Sequence, residues 1–144
     1  MNKFLLTLIL FFSIGISRKT VVKLATLAPE GTEWHGMLLD MGQEWKKISK
    51  KSVHLRVYPG GVIGDERDMV RKMRIGQIHA AAITTEGLSE IVPDFSAYYV
   101  PLAFQNSEDV MSVTEALLPS LEEQLEEQGF KLLHIGELGW AYWF

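Results

Sequence analysis

The sequence predicts an α/β fold built on a parallel sheet, and three observations carry that expectation. Val21–Leu27 is an apolar run broken only by Lys23 and Thr26, which is how a strand covered on both faces reads. Residues 57–93, VYPGGVIGDERDMVRKMRIGQIHAAAITTEGLSEIVP, read as strand, turn, helix, strand. A unit of that kind forms a parallel pair through a right-handed crossover, so the strands ending at Tyr58 and beginning at Ile78 are expected side by side.

Taken in order, Ala28-Pro29-Glu30-Gly31 is a loop after the first strand, and Thr32 can cap a helix. Trp34, Met37, Leu38, Met41, Trp45 and Ile48 trace one face of that helix, the face expected to be buried. Lys46, Lys47, Lys50 and Lys51 lie at its end, where they complement the helix dipole; they read either as a solvated helix end or as a membrane or transporter contact. Val53–Tyr58 alternates as a second strand and is stopped by Pro59-Gly60-Gly61. Asp65 caps the next helix, Met69, Val70 and Met73 are its apolar positions, and Gly76 ends it. Ile78–Ile83 is a short buried strand with Thr84 and Thr85 at its tip, followed by a loop to Glu90.

Phe95–Phe104, with Pro101 near its centre, reads as a loop or an edge strand. Ser107, Glu108 and Asp109 open a helix whose buried stripe is Val110, Val113, Leu117, Leu118, Leu121 and Leu125. Pro119 predicts a kink or restart in it, because an interior proline costs about 3 kcal/mol. Leu132–Ile135 is expected to be the next strand, and Trp140-Ala141-Tyr142-Trp143-Phe144 closes the sequence.

The 144 residues amount to one ordinary domain or part of a larger one, and 47% hydrophobic with 22% charged residues is a globular composition. A net charge of −4, of mixed sign along the chain, argues against nucleic acid as a partner. With no cysteine there is no disulfide and no thiolate metal site. Lys3, the apolar stretch Phe4–Phe12 and the small residues Gly15 and Ser17 make residues 1–17 an export signal, the mature domain being 18–144. The 13 residues Phe4–Ile16 fall short of the about 20 that span a bilayer.

Catalytic and metal chemistry is not indicated. His35, His54, His79 and His134 sit on separate elements without ligand spacing, so no metal and no cofactor is expected. Gly60-Gly61-Val62-Ile63-Gly64 lacks the lysine and serine of a phosphate loop, and no Gly-x-Ser-x-Gly occurs. What remains is a binding site on the loops at the carboxyl ends of the strands, Pro59–Gly64 and Thr84–Glu90, together with the start of the first helix. Glu30 and Trp34 flank that helix start, whose free N–H groups suit a ligand oxygen. Glu30 and Glu33 oppose a carboxylate there, so a neutral or hydroxyl-bearing group suits it as well. Thr84 and Thr85 are short hydroxyls that suit a small solute or their own turn equally. Trp140 and Tyr142 share one side of an extended segment and are expected to wall the cleft.

The phrase YPGGVIGDERDMVRKMRIGQIHAAAITTEGLSEIVP resembles the solute-binding receptors of tripartite ATP-independent periplasmic (TRAP) transporters, the DctP family. Tyr58, Pro59, Gly64, Asp65 and Gly76 match the family pattern with its spacing, and YYVPLAF is similar to a further segment of it. The resemblance covers residues 21–144 and implies the first three-layer α/β lobe of a type II periplasmic binding protein, the second lobe lying outside the sequence. It implies a non-enzymatic, periplasmic receptor that captures a small organic, acidic solute and delivers it to permease membrane subunits, with Thr84 at a solute-contacting position. A ligand-sensing module of another receptor and an exported α/β enzyme are the alternatives. Gly139-Trp140-Ala141-Tyr142 departs from the family in having no carboxylate-gripping arginine, so a C4-dicarboxylate or sialic acid is not supported.

Overall fold

A computed structural model describes residues 19–136; residues 1–17, expected to be an export signal, and the segment holding Trp140 and Tyr142 lie outside the described residues. β1 (Thr20–Thr26) leads through α1 (Glu33–Ile48) to β2 (Val53–Tyr58). That strand leads through α2 (Glu66–Arg74) to β3 (Ala80–Ala82). α3 (Thr85–Ser89), a 3-10 helix (Pro93–Tyr99) and α4 (Ser107–Glu127) follow. The α/β class and the parallel sheet are as the sequence predicts.

The strand order is β2-β1-β3, all parallel, so the crossover from β2 lands on the far side of β1 and not beside β2. Hydrophobicity decides this correction. β1 ends in the buried residues Leu24, Ala25 and Thr26 and takes the centre, whereas β2 carries Arg56 to solvent and takes an edge. Ala25 packs with Met69 and Ile78 on the α2 side, while Leu24 is in register with Val57 on the side of α1. The two helices therefore cover opposite faces, giving three layers.

Thr32 and Asp65 cap as expected, accepting from the His35 N–H at 3.3 Å and the Asp68 N–H at 2.8 Å. Gly76 (φ +70°) and Gly129 (φ +80°) close α2 and α4 in the left-handed conformation. The buried face of α1 is displaced from the predicted stripe. His35 is buried and Gly42 abuts β2, where a Cβ would lie 3.1 Å from that of Leu55. This close approach turns Trp34, Met37 and Ile48 outward, 47%, 55% and 74% exposed.

Three further elements differ from expectation, and a fourth, α4, excludes one of two alternatives. β3 spans only three residues because the His79 side chain takes over the next ladder position, its Nδ1 accepting the Lys23 N–H at 3.0 Å. Residues 93–99 form a 3-10 helix with Pro93 at its start, and no strand crosses there. α4 runs without restart through Pro119: Pro119 and Glu115, whose carbonyl loses its intrahelical donor, are both exposed, so water can replace the bond. Leu132–Ile135 forms no strand among the described residues; Leu132 instead packs on the main core.

That core joins Val70 of α2 to Ile91, Val92 and Phe95 and to Leu121 and Leu125 of α4. Phe95, Leu121 and Leu125 are essentially inaccessible, each side chain contributing about 2 kcal/mol or more by burial.

The β2–α2 turn is the most constrained part of the rim. Gly64 has φ +112°, and a Cβ there would stand 2.6 Å from that of Asp68. We predict that Gly64→Ala lowers unfolding free energy by about 2 kcal/mol or more, against about 1 kcal/mol for Asp65→Ala, which only uncaps α2. Urea denaturation of the two variants gives the order, and equal effects contradict it.

Candidate functional site

The carboxyl ends of the three strands form one edge, and hydrogen bonds across it fix the loops to each other. The Gly60 N–H donates to the Ala28 carbonyl at 2.8 Å and the Gly61 N–H to the Thr26 carbonyl at 3.0 Å. These bonds sew the turn after β2 onto the end of β1. Within the β1–α1 loop, the Thr32 hydroxyl donates to the Pro29 carbonyl at 2.8 Å, and the Gly31 N–H donates to His35 Nδ1 at 3.2 Å. His35 is thus a structural acceptor that holds the loop over the start of α1.

Among the sequence-predicted residues, Glu30 is exposed in this loop and Trp34 is half exposed on the first turn of α1. Among the described residues, the Glu33 and Trp34 N–H groups at that turn make no intramolecular bond. Thr84 and Thr85 stand at the start of α3, which replaces the loop expected there. The parallel register, Ala25 opposite Tyr58 and Thr26 opposite Ala82, brings Glu30, Trp34, Thr84 and Thr85 to the same edge. Trp140 and Tyr142 lie outside the described residues.

Thr84 does not cap α3. Its hydroxyl donates to Glu66 Oε2 at 2.7 Å and its N–H to Glu66 Oε1 at 2.8 Å. Both of its donors are spent on one carboxylate, which ties the β3–α3 junction to the first turn of α2. Gly87 lets this happen, since a Cβ there would fall 2.7 Å from Glu66 Oε2. Arg67 adds a second tie, its Nη2 lying 2.7 Å and its Nε 2.9 Å from Glu90 Oε1. The hydrogen bond and charge of Glu90 raise the guanidinium above its ordinary pKa. Ser89 accepts from the Tyr99 hydroxyl at 2.9 Å, joining α3 to the 3-10 helix.

Glu66 is the site residue that sequence reasoning missed. It stood out only as a first-turn acid, and its partner is 18 residues away, so no local spacing reveals the pair. No cluster of His, Asp or Glu suited to a metal ion occurs among the described residues.

Residues 24–143 match the family model described as bacterial extracellular solute-binding protein, family 7, DctP. The chain belongs to this family. The DctP family comprises binding proteins of transporters and not enzymes. The chain is 26% identical over 116 residues to a solute-binding protein of Roseobacter denitrificans, covering 81% of this chain and 34% of that protein. It is similar in fold to the crystal structure of a TRAP periplasmic solute-binding protein from Roseobacter denitrificans with bound L-galactonate. The TM-score is 0.67 at 25% identity, with 76% of this chain and 37% of that one covered. A TRAP periplasmic solute-binding protein from Haemophilus influenzae with bound L-gulonate gives a TM-score of 0.69 at 24% identity, covering 81% and 38%. The DctP chain described here thus spans about a third of the length of the relatives it matches.

The Glu66–Thr84 tie yields a measurable expectation. Glu66→Ala should speed hydrogen exchange at the Thr84 amide by about tenfold, the equivalent of one hydrogen bond. Glu66→Gln, which keeps an acceptor, should recover part of the protection, and Thr84→Val should leave the amide slow. Unchanged exchange in Glu66→Ala contradicts the tie.

Proposed function

We propose that this chain is the solute-contacting first lobe of an extracytoplasmic TRAP receptor that captures a small organic acid bearing hydroxyl groups and passes it to permease membrane subunits. The observation that carries this reading is the rim itself: in a chain of the DctP family, three parallel strands deliver their carboxyl-end loops to one edge. An edge of this kind is where α/β folds bind ligands. Relatives bind L-galactonate, L-gulonate and D-glucuronate, each a hydroxylated carboxylic acid.

The lobe's part in recognition follows from its charges. The unbonded N–H groups of Glu33 and Trp34 offer donors at the positive end of α1. The carboxylates of Glu30 and Glu33 beside them disfavour a second anion, so this end receives hydroxyl groups and the solute's carboxylate is gripped elsewhere. Trp34 supplies an apolar flank for the carbon chain. Thr84 has no hydroxyl proton left to donate and acts as an acceptor, with Thr85 beside it. On the alternation of the sequence, Trp140 and Tyr142 belong to the cleft wall. Residues 1–17 direct export to the periplasm, and no cofactor or metal takes part. A second lobe closing over the rim would exclude water from the solute.

Titrating the chain with L-gulonate, D-glucuronate and succinate tests this reading by NMR. The account expects millimolar affinity, with shifts concentrated at Gly31, Glu33, Trp34, Thr84 and Thr85 and larger for the hydroxylated acids. Micromolar binding by this lobe alone, or shifts centred away from the rim, would refute it.

A further inference from the structure

The end of the sheet opposite the rim, where strands begin and α1 ends, carries a feature that solute capture leaves unused. Lys46 and Lys47 in the last turn of α1 and Lys50 and Lys51 in the turn after it crowd together. Lys19 joins them, because the Thr20 N–H donates to the Ser52 carbonyl at 2.7 Å and sets the start of β1 beside that turn. Five of the chain's 14 Lys and Arg thus gather on a protein of net charge −4, and no Asp or Glu occurs between Glu44 and Asp65. Among the described residues the one ion pair made by these five is Lys47 with Glu44, at 3.6 Å.

Two properties of this turn go beyond a solvated helix end. Lys50 and Lys51 adopt φ of 52° and 68°, and the Lys51 N–H closes the cap on the Lys46 carbonyl at 2.7 Å. Glycine is the usual residue in that conformation, and side-chain-bearing residues there destabilise the fold. Backbone strain of this sort clusters at functional sites. Next to them Ile48 is 74% exposed at an open apolar depression of about 250 Å³, lined by Trp45, Ile48, Ser49 and Val53.

We propose that this pole docks on a bilayer surface rich in anionic headgroups, Ile48 entering the headgroup layer while the lysines meet lipid phosphates. The choice of cation favours a bilayer over an acidic protein. All five are lysines, flexible point charges suited to a diffuse anionic surface, whereas protein interfaces favour arginine and are depleted in lysine. A cluster of four to eight cations beside an exposed apolar side chain is the composition that binds anionic leaflets. The inference is independent of which solute the rim takes.

The chain has no cysteine, so Ile48→Cys and Val62→Cys each place one environment-sensitive fluorophore, the second on the rim, where Val62 is 69% exposed. With phosphatidylcholine vesicles containing phosphatidylglycerol, the label at position 48 should shift to the blue and the label at position 62 should not. High salt or omission of phosphatidylglycerol should abolish the shift. Lys50→Gly combined with Lys51→Gly should raise the urea midpoint while weakening vesicle partition by about tenfold or more, which separates lost docking from lost folding. The proposal is overturned if neutral vesicles shift the label equally or both labels move alike, as insertion through Phe4–Phe12 would make them do. Unchanged partition of the double glycine variant, or a response to polyglutamate without one to vesicles, also overturns it.

Discussion

β1 uses both of its edges, and the remaining described structure is arranged by that fact. Its register with β2 runs from Thr20 opposite Val53 to Ala25 opposite Tyr58, and on the other side Leu24 to Thr26 pair with Ala80 to Ala82. Parallel pairing forces each crossover helix to run back along the sheet, so α1 and α2 start at the same edge. The Gly60 and Gly61 N–H groups then find their acceptors on Ala28 and Thr26, just beyond the buried end of β1. If β1 lay at an edge, the β3–α3 junction would stand beside the end of β2 and not beside the end of β1.

The two ends of the sheet have opposite character. At the rim, the start of α1 presents free N–H donors, and the carboxylates of Glu30 and Glu33 stand beside them. At the other end, helix termination concentrates lysines and leaves Ile48 exposed. Capture and attachment can therefore occupy separate surfaces of one lobe, and a charge change at one end leaves the other unperturbed beyond the screening length of about 10 Å. In the DctP family such a separation would hold a receptor near its membrane partner without obstructing the cleft.

The helix caps were legible in the sequence because capping is local. Thr32, Asp65, Gly76 and Gly129 each act within a few residues, and each behaves as its type and position imply. Strand order was less legible: which edge of β1 receives β3 depends on relative burial across the chain. The buried face of α1 escaped because His35 and Gly42, polar and small, take positions that an apolar stripe would assign to Leu and Met. The rim residues Glu30, Trp34, Thr84 and Thr85 were found from where strands stop. Glu66 was not, since its bond to Thr84 joins two crossovers. Leu132–Ile135 has strand composition, yet pairing requires a partner edge, which composition does not report.

The measurement that tests the central claim most directly is a set of cross-strand nuclear Overhauser contacts. The account predicts contacts between Ala25 and Tyr58 and between Leu24 and Ala80, with none linking β2 to β3. Contacts between Val57 or Tyr58 and Ala80–Ala82 would place β1 at an edge and contradict its position at the centre of the sheet.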